Sequence, residues 1–308
     1  MEKEIVLEAK NLSTAIKERF LIKDVNFSVA KGEIFGIFGE DGSGKTSLIK
    51  AFVGAMPISD GQALVFGKDV KENPSVLSNL SIALDPPAFF KFQSVLENVK
   101  YLTAFSAEVS DIEILRALRK FGLIKKTKSQ VLFLSSVERK MLSFAIASLT
   151  RPNILILDEP FKNLPEEQMK VAKSFIEEMH QLGATLILTS KNLDSIEPIC
   201  DRIMFMQNRE VAKIFSKQDL KLAEEGEGYA FVATKYPHYL GSLLIKDFDL
   251  KVKIYQNRVL FDGVERDAVN IVRYASMKKI EIYKAGIITK KSERIFTSLA
   301  PYYKEEKK

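Results

Sequence analysis

The sequence predicts a parallel α/β core followed by a small α+β domain, and three observations carry that expectation. The runs "EIFGIFG", "NILIL" and "ATLILTS" are continuously apolar and bounded by turn residues, as strands covered on both faces are. They alternate with helix-period segments such as "EEQMKVAKSFIEEMHQLG", and that order implies a parallel sheet with crossover helices. Past a charged, glycine-bearing stretch, "KLAEEGEG" at 221–228, the order changes to hairpin, helix, strand and helix, which marks a boundary. Domains are therefore expected at 1–220 and 228–308, with a helix-rich portion at about 92–150.

Each element has its own justification. "EIVLEAKNLS" and "FLIKDVNFSV" read as strands, and in the second Val25, Phe27 and Val29 alternate with polar residues, the period of a half-buried strand. Lys31-Gly32 turns the chain into "EIFGIFG", and "KTSLIKAFVGAM" reads as a helix ending near Pro57. "SVLENVKYLTAFS" and "DIEILRALRKFGL" carry apolar residues three and four apart, with Ser94 and Asp111 as candidate N-caps. Gly183 closes the helix that begins at "EEQMK". "DRIMFMQNREV" reads as a hairpin, and so does "DLKVKIYQNRVLFDG", turning at Gln256-Asn257. "VERDAVNIVRYASMKK" is expected as a helix, "IEIYKAGII" as a strand and "SERIFTSLA" as a last helix.

Composition narrows the class. With 46% hydrophobic and 28% charged residues over 308, the chain can bury a globular core. No apolar run approaches the roughly 18 residues of a membrane span, and the start, "MEKEIVLEAK", has no apolar signal core. A soluble, cytoplasmic chain is expected. The single cysteine, Cys200, cannot form an internal disulfide, which suits a reducing compartment, and is expected as a small buried apolar residue. Residues 229–308 hold 16 Lys+Arg against 9 Asp+Glu, whereas the first 228 hold 30 against 31. Such a basic tail can meet nucleic acid, acidic headgroups or an acidic partner, but its lysines are scattered as on a solvated surface.

The chemistry is concentrated in "GEDGSGKT". Gly39, Gly44, Lys45 and Thr46 fit G-x-x-x-x-G-K-[ST], the pattern of a phosphate-binding P-loop. Glycines at Gly39, Gly42 and Gly44 let the backbone from Gly39 through Glu40, Asp41 and Ser43 to Ser47 wrap round a polyphosphate with its N–H groups turned inward. The helix starting at Lys45 adds its positive end. Lys45 is expected on the β- and γ-phosphate oxygens and Thr46 on Mg²⁺. In "ILILDEP", Asp158 falls at the carboxyl end of a buried strand, where α/β sheets place ligands. A carboxylate there suits the Mg²⁺ shell, and Glu159 is placed to polarise an attacking water.

These motifs resemble the ATP-binding-cassette (ABC) ATPases. "NLSTAIKERFLIKDVNFSVAKGEIFGIFGEDGSGKT" looks like that family's N-terminal strands and Walker A, and "FLSSVERKMLSFAIASLTRPNILILDEP" like its signature helix and Walker B. The match covers about 1–217, and the tail, with "KKSERIF", is similar to the accessory domain of drug- and polysaccharide-exporter-type members. The resemblance implies a P-loop NTPase core with a helical subdomain, plus a small C-terminal α+β domain. It implies ATP and Mg²⁺ as cofactors, and a second nucleotide-binding domain in a head-to-tail homo- or heterodimer. It also implies an integral membrane permease, with this chain peripheral on the inner face of the cell membrane.

The resemblance breaks at five places. Ile16 stands where an adenine-stacking aromatic is usual, with Phe20 nearby as a substitute. Asp85 matches the Q-loop glutamine, and aspartate is a good hard-cation ligand. The signature L-S-G-G-Q reads Leu134, Ser135, Ser136, Val137, Glu138. Ser135 keeps a hydroxyl for the partner's γ-phosphate, whereas Val137 resists positive φ and Glu138 brings a negative charge. Pro165 matches the D-loop aspartate and Lys191 the switch histidine. Lysine can pin a phosphate but offers no acceptor to orient water. Together the changes imply slow hydrolysis. The alternative is an ATP-binding regulatory scaffold that closes on ATP with little or no turnover. A single cassette without a long heptad insertion argues against a nucleic-acid partner.

Overall fold

The computed structural model describes residues 3–104, 109–220, 229–255, 257–263 and 265–288. The chain divides into two compact units, Met1–Ile214 and Phe215–Lys308.

In the first unit, strands β1 (Ile5–Ile16) and β2 (Arg19–Ala30) form a long antiparallel hairpin. With β4 (Asp60–Val65) and β5 (Lys68–Asp69) they make an antiparallel sheet in the order β2-β1-β4-β5. Inward residues of this sheet, among them Leu7, Leu12, Val25 and Phe27, join Phe35 and Phe52 in one core. The second sheet is six-stranded, in the order β10-β9-β3-β8-β7-β6. Its strands are β3 (Ile34–Phe38), β6 (Leu80–Ala83), β7 (Ile154–Leu157), β8 (Thr185–Ser190), β9 (Arg202–Gln207) and β10 (Glu210–Ser216). The ladders β9/β3, β3/β8, β8/β7 and β7/β6 are all parallel. Every residue of β3, β7 and β8 is buried, as their unbroken apolar runs require. This register brings the carboxyl ends of β3, β7 and β8 side by side.

The helices of this unit are α1 (Lys45–Phe52), α2 (Val95–Thr103), α3 (Asp111–Lys120), α4 (Ser136–Thr150), α5 (Glu166–Gln181) and the short α6 (Leu193–Ile196). Ser94 caps α2 as expected, in a reciprocal box with Glu97. For α3 the cap is Ser110, not Asp111, because Ser110 and Glu113 form the box that satisfies two orphan amides. α1 stops at Phe52, short of Pro57. Gly54 (φ 68°) lets Ala55 N–H reach Lys50 O and Gly54 N–H reach Ala51 O, a Schellman closure. Gly183 (φ 90°) ends α5 the same way, with Ala184 N–H on Met179 O. α5 buries Ala172, Phe175, Ile176 and Met179, one helical face. Phe175 stacks on Phe144 of α4 at 5.3 Å and meets Phe121 edge-on at 5.5 Å, so the aromatic cluster joins α5 to the helix-rich portion. Cys200 is buried beside Gly36, where an added Cβ would lie 2.9 Å from its Sγ.

The second unit holds β11 (Tyr229–Thr234), β12 (Val252–Tyr255), β13 (Arg258–Asp262) and β14 (Ile282–Ile287) in the order β12-β13-β11-β14. Two helices, α7 (Pro237–Phe248) and α8 (Glu265–Met277), supply Leu240, Leu244, Ala268, Ile271 and Ala275 to a core with Val232, Val252, Val259 and Phe261. β11 and α7 were not foreseen; Pro237 at the first helical position is their clearest sequence signal. The hairpin residue Gln256 and the expected helix "SERIFTSLA" lie outside the described residues. No helix among the described residues is long and apolar enough to cross a membrane.

Candidate functional site

The P-loop runs from the end of β3 into α1, and its glycines are structural necessities. Gly42 and Gly44 hold φ of 81° and 104°, a region that residues with a Cβ avoid. A Cβ on Gly44 would lie 2.7 Å from Ile22 Cγ2 and 2.9 Å from Leu21 O, and one on Gly39 would lie 2.5 Å from Ser43 Oγ. α1 begins on Gly44 with no side-chain cap and no acidic residue in its first turn. Its leading N–H groups and positive dipole end therefore suit an anion. Ser43 Oγ is buried without a hydrogen-bond partner among the described residues, and a buried hydroxyl left so needs an external partner. Phosphate oxygens supply one, so the loop fits a nucleotide polyphosphate.

Lys45 is buried, and its Nζ donates to Gly39 O at 2.6 Å and Glu40 O at 3.2 Å. Glu159 Oε1 lies 3.7 Å from that amine. Burial pulls Lys45 below the usual lysine range, with Glu159, Asp41 and Asp158 opposing the shift. Thr46 Oγ1 donates to Asp158 Oδ2 at 3.1 Å. Asp158's other oxygen accepts from Thr189 Oγ1 at 2.6 Å, and that hydroxyl accepts from Glu159 N–H at 2.9 Å. One threonine thus sets both acidic residues at the end of β7. The described residues contain no cluster of three or more His, Cys, Asp or Glu placed to hold a metal. A hydroxyl plus one carboxylate suits Mg²⁺, which keeps waters and phosphate oxygens as its remaining ligands.

Lys191, Asp85 and the pair Ser135 and Glu138 are each held by other residues of the chain. Lys191, at the end of β8, extends its Nζ to Asp41 Oδ2 at 3.1 Å, and its N–H lies 3.4 Å from Glu159 Oε2. That contact holds the Asp41 carboxyl below the ordinary value through a hydrogen bond and charge. Asp85 reaches the same cavity, but its oxygens lie 2.9 Å from Lys162 Nζ and 3.5 Å from Lys140 Nζ. Two ammonium groups therefore claim the carboxylate expected on a metal. Ser135 is not part of this cavity. It caps α4: its hydroxyl accepts from Glu138 N–H at 3.1 Å while Glu138 Oε2 accepts Ser135 N–H at 2.8 Å. The Ser135 amide hydrogen bond lowers the Glu138 pKa most, with Lys126 adding a smaller pull.

The cavity, about 290 Å³, is lined by the loop residues Asp41–Ser47 together with Asp85, Asp158, Glu159, Lys162, Arg19, Leu21 and Arg209. Neither Ile16 nor Phe20, the expected adenine contacts, lines it; both are exposed at the β1–β2 tip. Arg19 and Leu21 share one strand face and Phe20 takes the other. Arg209 comes from the β9–β10 turn, where Asn208 and Arg209 hold φ of 51° and 70°, the signature of a type I′ hairpin. Arg19, Arg209, Thr189, Lys140 and Lys162 are the site residues that sequence reasoning missed. Only Arg209, in the turn "QNRE", sat beside a recognisable signal.

Residues 22–162 match a family model described as ABC transporter. That stretch carries an ABC transporter domain, and the chain resembles ABC transporter ATP-binding proteins along its length. An ABC transporter ATP-binding protein of Bacillus subtilis, YhcH, is 28% identical over 303 residues, covering 98% of both chains. The bacitracin transport ATP-binding protein BcrA of Enterococcus faecalis is 27% identical over 89% of this chain and 96% of its own. The linearmycin resistance ATP-binding protein LnrL of B. subtilis is 24% identical over 96% and 98%. Among solved structures, an ATP-binding subunit of an ABC transporter superposes with a TM-score of 0.65 at 24% identity, over 70% of this chain and 92% of that one. A bacterial Atm1-family ABC exporter with ATP bound gives 0.64 at 20% identity, over 73% and 41%. The first unit thus has the fold of the ABC ATP-binding cassettes.

Proposed function

We propose that this cassette powers an exporter-type membrane permease by binding MgATP at the P-loop cavity and hydrolysing it slowly. One observation carries the reading: Lys45 and Thr46, from the loop after β3, and Asp158 and Glu159, from the end of β7, converge at the uncapped start of α1. In this reading Gly39–Ser47 cradle the phosphates, and Lys45 exchanges its two carbonyl acceptors for phosphate oxygens. Thr46 and Asp158 hold Mg²⁺, which supplies charge neutralisation when bound. Glu159 accepts the proton of an attacking water. Lys191, already beside Asp41 and Glu159, places a cation at the loop mouth without an acceptor to align that water. Arg19 and Arg209 take the place of the missing aromatic, since a guanidinium stacks on a flat π-system.

The expected slowness comes from two sources. Losing one transition-state contact typically lowers turnover roughly 100- to 1000-fold, and histidine is absent from position 191. Glu138 also occupies the amide at the start of α4, the end that family geometry turns towards a partner cassette's nucleotide. The exporter assignment rests on relatives named for bacitracin transport and linearmycin resistance. A second cassette, an integral membrane permease and a place on the inner membrane face follow from it. The test is steady-state phosphate release from the purified chain, with affinity capture from detergent-solubilised membranes. Slow turnover and recovery of an integral membrane protein are expected. A rate near about 10 per second contradicts the slow-hydrolysis reading. Recovery of soluble partners alone favours the regulatory scaffold.

A further inference from the structure

Lys140 lies on α4, in the helix-rich portion, yet its amine ends beneath the catalytic turn. The residue is 6% exposed. Its Nζ donates to Glu159 O at 2.7 Å and to Lys162 O at 3.2 Å, and lies 3.5 Å from Asp85 Oδ1. The two carbonyls bracket a tight turn closed by Lys162 N–H on Glu159 O at 3.2 Å. Within it Glu159 holds φ of 48°, a left-handed conformation that a side chain with a Cβ disfavours. A strained residue persists only where its surroundings fix it, and Lys140 supplies donors at both ends of the turn. Burial lowers the pKa of the Lys140 amine, and the Asp85 carboxylate beside it opposes that shift.

We propose that Lys140 is a positioning residue for Glu159: its ammonium, anchored by Asp85, fixes the 159–162 turn and so directs the Glu159 carboxylate into the nucleotide cavity. The proposal rests on the reading of Glu159 as the proton acceptor. It gives Asp85 a structural task, steadying a buried cation, in place of the metal-ligand role that its position suggested. It also links α4 to the reacting end of the site through one side chain. Any displacement of α4 reaches the carboxylate directly, and misplacing a catalytic group by about 1 Å lowers a rate about 100-fold.

The experiment compares the full chain with Glu159→Gln, Lys140→Met and the double variant, by phosphate release, MgATP calorimetry and amide hydrogen exchange. Glu159→Gln is expected to slow turnover at least about 100-fold. Lys140→Met is expected to lower kcat roughly 10- to 100-fold with KM and MgATP affinity within about twofold. Added to Glu159→Gln, it removes little more, because it acts through the group already lost. The Lys162 amide should exchange about tenfold faster in Lys140→Met. An unchanged kcat in Lys140→Met while Glu159→Gln is slow, an equal loss in both backgrounds, or a rise confined to KM overturns the proposal. A fast Glu159→Gln variant, or a wild-type chain with no turnover, instead overturns the reading of Glu159 itself. Should the Met variant not fold, Lys140→Gln, which keeps one donor, is judged by the same criteria. A Gln variant that also fails to fold makes Lys140 a residue of the fold and overturns the positioning role.

Discussion

Replacing Thr189 by valine exchanges a hydroxyl for a methyl of similar size at a position with no solvent exposure, so packing is nearly conserved while two hydrogen bonds vanish. The lost acceptor leaves Glu159 N–H buried and unpaired, at about 1–3 kcal/mol. The lost donor removes a 2.6 Å bond to Asp158 Oδ1, and bonds to charged groups contribute about 1.5–3 kcal/mol. Asp158 keeps Thr46 on its other oxygen, which limits the damage and sets the sum near 3 kcal/mol. For a unit spanning Met1–Ile214, each kcal/mol lowers the melting temperature by about 2–4 °C, so a drop of about 6–12 °C is expected. Differential scanning calorimetry of the Thr189→Val chain measures it directly. MgATP affinity should weaken in the same variant, because Asp158 is no longer held at both oxygens. A melting temperature within about 2 °C of wild type would refute the claim that this hydroxyl organises the end of β7.

Other expectations follow from the same geometry. Gly44→Ala forces a Cβ to 2.7 Å from Ile22 Cγ2 at φ 104°. It should destabilise by about 1–3 kcal/mol and abolish MgATP binding by calorimetry, whereas the sterically open Gly183 tip offers a control for strain alone. Glu138→Gln keeps an acceptor for Ser135 N–H but drops the charge at the head of α4. Because the side chain is 31% exposed, solvent screening keeps its effect to about 0.5 kcal/mol. The folded carboxyl has a lowered pKa. Its contribution is therefore fully present above the ordinary glutamate value and is lost as pH falls through the folded one. Urea titrations should show a wild-type advantage at pH 7 that shrinks between about pH 5 and 3. An advantage independent of pH would assign it to something other than charge.

What the sequence disclosed and what it withheld divide along contact distance. The P-loop was legible because its chemistry is contiguous: Gly39 to Thr46 fit one spacing rule, and their flanks are a buried strand and a helix. The acidic pair after "ILIL" was legible for the same reason. Thr189, Lys140 and Lys162 were not, because their roles exist only across 31, 19 and 77 residues of separation from Asp158, Glu159 and Asp85. In sequence, Lys140 is one more polar residue on a helix. Ser110 was passed over for Asp111 because the decisive partner, Glu113, was not read with it. The strands β4 and β5 were not foreseen either. β5 is two residues long, and β4 carries Gly61, whose φ of 73° brings its backbone against Asn11, a packing fact that no periodicity reveals. Phe20 looked like a base platform by proximity to Ile16, but strand alternation gives the cavity to Arg19 and Leu21.

Lysine 45 offers the most direct trial of the nucleotide reading. Its Nζ rests on two loop carbonyls, 3.7 Å from Glu159, as a buried cation poised for phosphate. Isothermal titration of MgATP into the Lys45→Ala chain, matched to wild type for melting temperature, is the measurement. An affinity at least about tenfold weaker, or roughly 1.4 kcal/mol, is expected. Undiminished affinity would contradict the assignment of this loop as the seat of the triphosphate.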